Sequence, residues 1–164
     1  MISLRSACGA VVMAVAMLAT TVPAVAQHRS MTQTKAGPFA IDNITEGGKF
    51  DRCAATLSPG PNMLRIAYTR NLIYSISVPG VPVPARTMDF HLNGEVFTVT
   101  PQTDAKRVRA WATVDTTLVG ALMNVRNTID IDLGAKSYSW PIGRTNLEDV
   151  FVALENCTHT AMGR

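Results

Sequence analysis

Thr145-Asn146-Leu147-Glu148-Asp149-Val150-Phe151-Val152-Ala153-Leu154-Glu155-Asn156-Cys157 is the last regular stretch of the chain, and the fold is read outward from it. Thr145 and Glu148 stand at capping-box spacing, in which the threonine hydroxyl accepts from the Glu148 backbone N–H and the carboxylate accepts from the Thr145 backbone N–H. The spacing predicts a helix over residues 145–157. Leu147, Val150, Phe151, Leu154 and Cys157 recur at helical intervals and form one apolar stripe, with Glu148, Asp149, Glu155 and Asn156 mostly off it. A stripe that ends in a cysteine aims its sulfur at the core, so the helix is expected to be tethered through Cys157.

Cysteine arithmetic supplies the other end of the tether. Residues 1–26 read as a secretory signal peptide, with Arg5 as the positive region, an apolar run from Ala7 to about Leu18, and Ala24-Val25-Ala26 as the cleavage site. The run is shorter than the roughly 20 residues a spanning helix needs, so cleavage before Gln27, rather than a retained anchor, is expected. No stable membrane span is then expected in the mature chain. Cys8 leaves with the signal, and Cys53 and Cys157 remain as a pair with one possible connectivity in an oxidising compartment, the periplasm or the exterior. A bond between them closes a loop of about a hundred residues, for which chain entropy gives an upper figure of roughly 4.7 kcal/mol. Two buried free thiols are the competing reading.

Residues 27–38 are polar and carry no apolar period, which predicts a flexible N-terminal arm; residues 39–164 suit one globular domain. The 15 Lys and Arg stand against 12 Asp and Glu, an excess that shrinks further with Arg5, and no basic run occurs. Nucleic acid is therefore not an expected partner. Residues 39–41 read as a short edge strand and residues 50–57 as the strand carrying Cys53. Leu64, Ile66 and Tyr68 alternate with Arg65, Ala67 and Thr69, and Leu72, Tyr74, Ile76 and Val78 alternate after Arg70-Asn71, so a hairpin with wet outer faces is expected. The proline spacing of residues 78–84 predicts a stiff extended connection. Asn93-Gly94 between Met88/Phe90/Leu92 and residues 96–100 is the pattern of a type I′ hairpin turn. Residues 107–114 read as the next strand. Asp115 can cap a helix over residues 116–126, with Gly120 costing it about 1 kcal/mol relative to alanine. Residues 128–133 and the Tyr138/Trp140/Ile142 face form two further strands. The expected class is α+β, a mostly antiparallel sheet or sandwich with two short helices, one of them C-terminal and disulfide-tethered.

Leu118-Val119-Gly120-Ala121-Leu122, a strand, then Ser137-Tyr138-Ser139-Trp140-Pro141-Ile142-Gly143 leading into Val152-Ala153-Leu154 resembles the end of the secreted invasion-associated locus B proteins. The resemblance covers about the last 45 residues. It implies an exported bacterial protein with a β-rich core and an envelope or host-facing role, and it brings no catalytic motif. Where that family has a tryptophan and a cysteine near the mature start, this chain has Phe50-Asp51-Arg52-Cys53.

No G-x-S-x-G elbow, phosphate-binding glycine loop, H-E-x-x-H pair or C-x-x-C unit occurs, so no catalytic residue, metal ligand set or cofactor is assigned. Asp130 and Asp132 share one strand face and allow cation binding or acid–base work, but that is also the ordinary wet face of a half-buried strand. His91 and His159 lack a partner nucleophile or third ligand. Arg107, Arg109 and Trp111, with Thr113, share a strand face that can combine charge with planar stacking, which makes them the candidate binding residues. The competing reading puts Trp111 under a loop with the arginine stems laid over it. The leading functional reading is a non-enzymatic envelope or secreted protein that binds a protein, peptide or glycan. A small periplasmic hydrolase using surface carboxylates, and a carrier of an apolar ligand, are the alternatives.

Overall fold

The computed structural model describes residues 28–58, 60–82, 85–103 and 108–164. The expected signal segment and Arg107 lie outside the described residues. These residues form β1 (His28–Ala36), β2 (Phe39–Glu46), β3 (Lys49–Leu57), β4 (Leu64–Thr69), β5 (Tyr74–Pro79), β6 (Met88–Leu92), β7 (Glu95–Val99), β8 (Gln102–Thr103), β9 (Arg109–Val114), α1 (Thr116–Met123), β10 (Asn127–Asp132), β11 (Ser137–Gly143) and α2 (Leu147–Ala161). A seven-stranded sheet runs in the order β1-β2-β3-β4-β5-β9-β8 and a four-stranded sheet in the order β11-β10-β6-β7, with antiparallel neighbours in both. The chain is thus an α+β sandwich with its two helices packed on the same core.

Strand alternation sets what each sheet contributes. Leu64, Ile66, Ile76, Ala110 and Ala112 point inward from the large sheet, and Phe90, Ile129, Ile131, Trp140 and Ile142 from the small one; all belong to one buried cluster. The α2 stripe of Leu147, Val150, Phe151 and Leu154 is fully buried in that cluster beside Ile41, Cys53 and Ala55. Burying each large side chain of this kind stabilises the fold by about 1.5–3 kcal/mol before entropy is charged against it. The indole of Trp140 donates to the Asn62 carbonyl at 2.6 Å, which joins the small sheet to the loop entering β4.

Cys53 and Cys157 are bonded, with a Cα–Cα separation of 6.1 Å across 104 residues, inside the span a disulfide bridges. Two polar contacts secure the same helix. The Thr158 hydroxyl, fully buried, donates to the Tyr68 carbonyl at 3.1 Å. The Tyr74 hydroxyl donates to Glu155 at 2.6 Å, with its ring edge-on to Phe151.

Several local expectations are corrected. Residues 28–36, expected in a flexible arm, are β1, paired along its length with β2. An outermost strand whose side chains are almost all exposed is held by main-chain hydrogen bonds, so apolar periodicity carries no sign of it. Its turn was legible: Gly37 at φ +56, followed by Pro38, is the residue pattern of a type II′ hairpin. A Cβ at Gly37 would lie 2.6 Å from the Thr145 hydroxyl, so the side chain of Thr145 packs against this turn. The cap of α2 is accordingly Asn146, whose side chain accepts from the Glu148 N–H at 3.3 Å, and not Thr145. With β1 present, β2 is an interior strand of eight residues, not a short edge. Leu72, expected on a strand face, sits exposed in the turn at φ 60. The Asn93-Gly94 turn has φ values of 52 and 88, as its residues require, and Asp115 caps α1 by accepting from the Leu118 N–H at 2.8 Å.

Candidate functional site: an arginine-lined groove

On its outer face the large sheet carries a groove of about 440 Å³. Cross-strand register builds it. Directly opposed residues share a face, so Ala54, Ala67, Ser75 and Thr113 form one row across β3, β4, β5 and β9, and Thr56, Arg65, Ser77 and Trp111 form the next. The first row is small and gives the floor. In the second, Arg65 and Trp111 stand two strands apart, about 10 Å at ordinary strand spacing, with only Ser77 between them. Arg52 and Arg70, with Ile73, border the other side.

A bulge adds to the wall. Arg52 pairs with Ile44 while Phe50 pairs with Thr45, which leaves Asp51 as the extra residue in β3. Consecutive strand residues normally face opposite ways; the bulge lets both Asp51 and Arg52 line the groove. They form an ion pair at 2.8 Å, with side chains 24% and 33% exposed. Among the described residues, Asp51 is the one acidic residue lining the groove, against Arg52, Arg65, Arg70 and Arg109.

The arginines differ in what holds them. Arg109 donates through Nη2 to the Met63 carbonyl at 3.0 Å, the Ser77 carbonyl at 2.7 Å and the Ser77 hydroxyl at 2.9 Å, so it fastens the entry of β4 to β5. Arg65 is half-buried, and its hydrogen-bond contact is to the Met63 sulfur at 3.6 Å. Its Nε is buried with no hydrogen-bond partner, as is the hydroxyl of Thr56 directly across the ladder. Burial first, and then the neighbouring Arg52 charge, lower the Arg65 pKa; Asp42 acts in the opposite sense. The Arg65 cation therefore sits in a place that disfavours positive charge, and an oxyanion against the part of the guanidinium that lines the groove would be drawn in by attraction, the buried Nε lying out of its reach.

Of the residues singled out in the sequence, Arg109 and Trp111 both line this groove, and Arg107 lies outside the described residues. Trp111 is half-buried. Arg52 and Arg65 were missed because their place beside Trp111 depends on register. The alternation of Arg65 with Leu64 and Ile66 was the available signal.

The carboxylates lie elsewhere. Asp130 stands opposite His91 and Asp132 opposite Asp89 on the outer face of the small sheet. Asp130 accepts from the Thr128 hydroxyl at 3.2 Å, Asp132 from the Gly134 N–H at 2.7 Å, and Asp89 from the Thr98 hydroxyl at 2.7 Å, while His91 is exposed. Among the described residues no group of three His, Cys, Asp or Glu side chains is placed to hold a metal ion. No helix among them is long and apolar enough to cross a membrane. A second depression, about 460 Å³ and more open, lies between the end of α1 and the start of α2, where the Asn124 side chain donates to the Gly120 carbonyl and Asn146 serves as the α2 cap. Arg126, Arg144 and Glu148 line it, with no aromatic side chain among its described residues. Comparison of the chain with protein families, with curated proteins and with solved structures finds no match.

Proposed function

We propose that the protein is an exported, non-enzymatic binding protein that recognises an anionic ligand in the groove of Arg52, Arg65, Arg109 and Trp111. The observation that carries this reading is the half-buried Arg65 lining the groove, with the like charge of Arg52 beside it. A positively charged guanidinium left in this condition gains more from an anion than a solvated surface arginine does, because less water competes for its donors. The reading of residues 1–26 as a signal peptide and the Cys53–Cys157 bond support export to the periplasm or beyond. The bound partner is a protein, peptide or glycan carrying negative charge. The test is an array of acidic and neutral peptides and glycans probed with wild-type protein and with the Arg52→Ala/Arg65→Ala/Trp111→Ala variant. Acidic hits that weaken at least tenfold in the folded variant are expected; hits bound equally by both proteins would reject the groove.

A further inference from the structure

We propose that the groove takes an acidic saccharide, a pyranose ring carrying a carboxylate or sulfate, with the ring on Trp111 and the oxyanion toward Arg65 and Arg52. The inference rests on the reading of the groove as a binding site and goes on to choose among ligand classes. Three features of the site make the choice.

The first is what the floor withholds. Along the row of Arg65, Ser77 and Trp111, β4, β5 and β9 each have a paired neighbour on both sides, so their main-chain groups there are committed to the ladder, while at Thr113 β9 is paired with β5 alone. An extended peptide joins a sheet by pairing with an open edge, and along that row the groove has none; the open stretch is confined to the last residues of β9. An occupant lying over that row is read by side chains, which leaves an extended peptide little of its main source of affinity.

The second is what the floor offers. Ser75 and Thr113 place hydroxyls in the row that forms the floor, with Ala67 between β3 and Ser75, and Thr69 lies at the Arg52 end. Hydroxyls that both donate and accept suit a ligand that is itself studded with hydroxyls. Small residues allow a ring to approach the sheet closely. Trp111 supplies a flat apolar surface for the C–H face of a sugar ring, with polar groups around its edge, which is the usual division of labour in a small-ligand site.

The third is the charge. A neutral sugar has no use for four lining arginines, whereas a carboxylate or sulfate matches the planar fork of a guanidinium. The roughly 10 Å between the Arg65 and Trp111 positions matches the span of one ring and its charged substituent, lying above the Arg109 guanidinium that covers Ser77. The volume of about 440 Å³ suits one or two sugar residues and not a long chain lying wholly inside.

Isothermal titration of the mature, oxidised protein separates the possibilities. The probes are trigalacturonate, a heparin-derived sulfated tetrasaccharide, neutral galactotriose and hexaglutamate, each against wild type, Arg65→Ala and Trp111→Ala. The inference expects at least one acidic saccharide to bind ten times more tightly than galactotriose and hexaglutamate, and to lose tenfold or more in each variant. Binding to carboxylated or sulfated probe alone identifies the preferred oxyanion and supports the class. Tighter, variant-sensitive binding of hexaglutamate would overturn the saccharide inference and leave the groove standing as a binding site. Acidic saccharides bound equally by wild type and both variants would overturn both readings. A cooperative thermal transition near the wild-type midpoint certifies that each variant is folded.

Discussion

Tyr74 shows how one residue ties helix to sheet. Burial, its hydrogen bond to Glu155 and the Glu155 charge push its hydroxyl far above the ordinary tyrosine range. The folded protein therefore keeps this proton at a pH where the unfolded chain releases it, near 10. The contribution is fully present below about pH 10 and is lost as pH rises further, because above that point the unfolded state binds fewer protons than the native one. Urea unfolding followed between about pH 8 and 11 should show wild type losing stability more steeply than Tyr74→Phe. At neutral pH the variant should be less stable by about 1.5–3 kcal/mol, the worth of a hydrogen bond to a charged acceptor. Parallel pH curves for the two proteins would contradict the role given to this hydroxyl. Nothing in the sequence announced the pair, since 81 residues separate Tyr74 from Glu155; the alternation of residues 72–78 fixed only the face on which Tyr74 lies.

At the scale of elements, α2 is held by three kinds of contact: its apolar stripe, the hydrogen bonds of Thr158 and Glu155, and the disulfide to β3. Removing the covalent one should cost roughly 2–5 kcal/mol and let the helix open locally before the sheets do. Hydrogen exchange on the reduced and alkylated protein is expected to accelerate most in residues 147–161, with β4 and β5 retaining protection. Uniform acceleration along the chain would mean that α2 and the sheet unfold as one unit. The stripe and its cysteine were legible because burial and helical period coincide at Leu147, Val150, Phe151, Leu154 and Cys157. The cap was displaced by one residue because Thr145 is engaged with Gly37, a contact between ends of the chain that local spacing does not contain. β1 escaped for a related reason: its partner is main chain, and its exposed side chains follow no burial pattern. Where an element owes its existence to a buried face, as the hairpin around Asn93-Gly94 does, the residues declare it.

The whole molecule puts its helices and small sheet on one side of the large sheet and leaves the arginine groove on the other. Half of the site could be seen in the chain, because Arg109 and Trp111 are two residues apart on one strand. The other half could not: Arg65 stands across Ser77 from Trp111, and Arg52 lies opposite Thr69 on the same face, so both depend on how strands pair. The chain's two tryptophans provide the most direct test of that assembly. Trp111 lines the groove, whereas the Trp140 indole is buried in the core and bonded to Asn62. In a nitrogen–proton correlation spectrum of the folded, oxidised protein titrated with the sulfated tetrasaccharide or trigalacturonate, the Trp111 indole resonance should move saturably while that of Trp140 stays in place. A fixed Trp111 resonance during demonstrated binding, or equal movement of both indoles, would contradict the claim that this groove is where the protein meets its ligand.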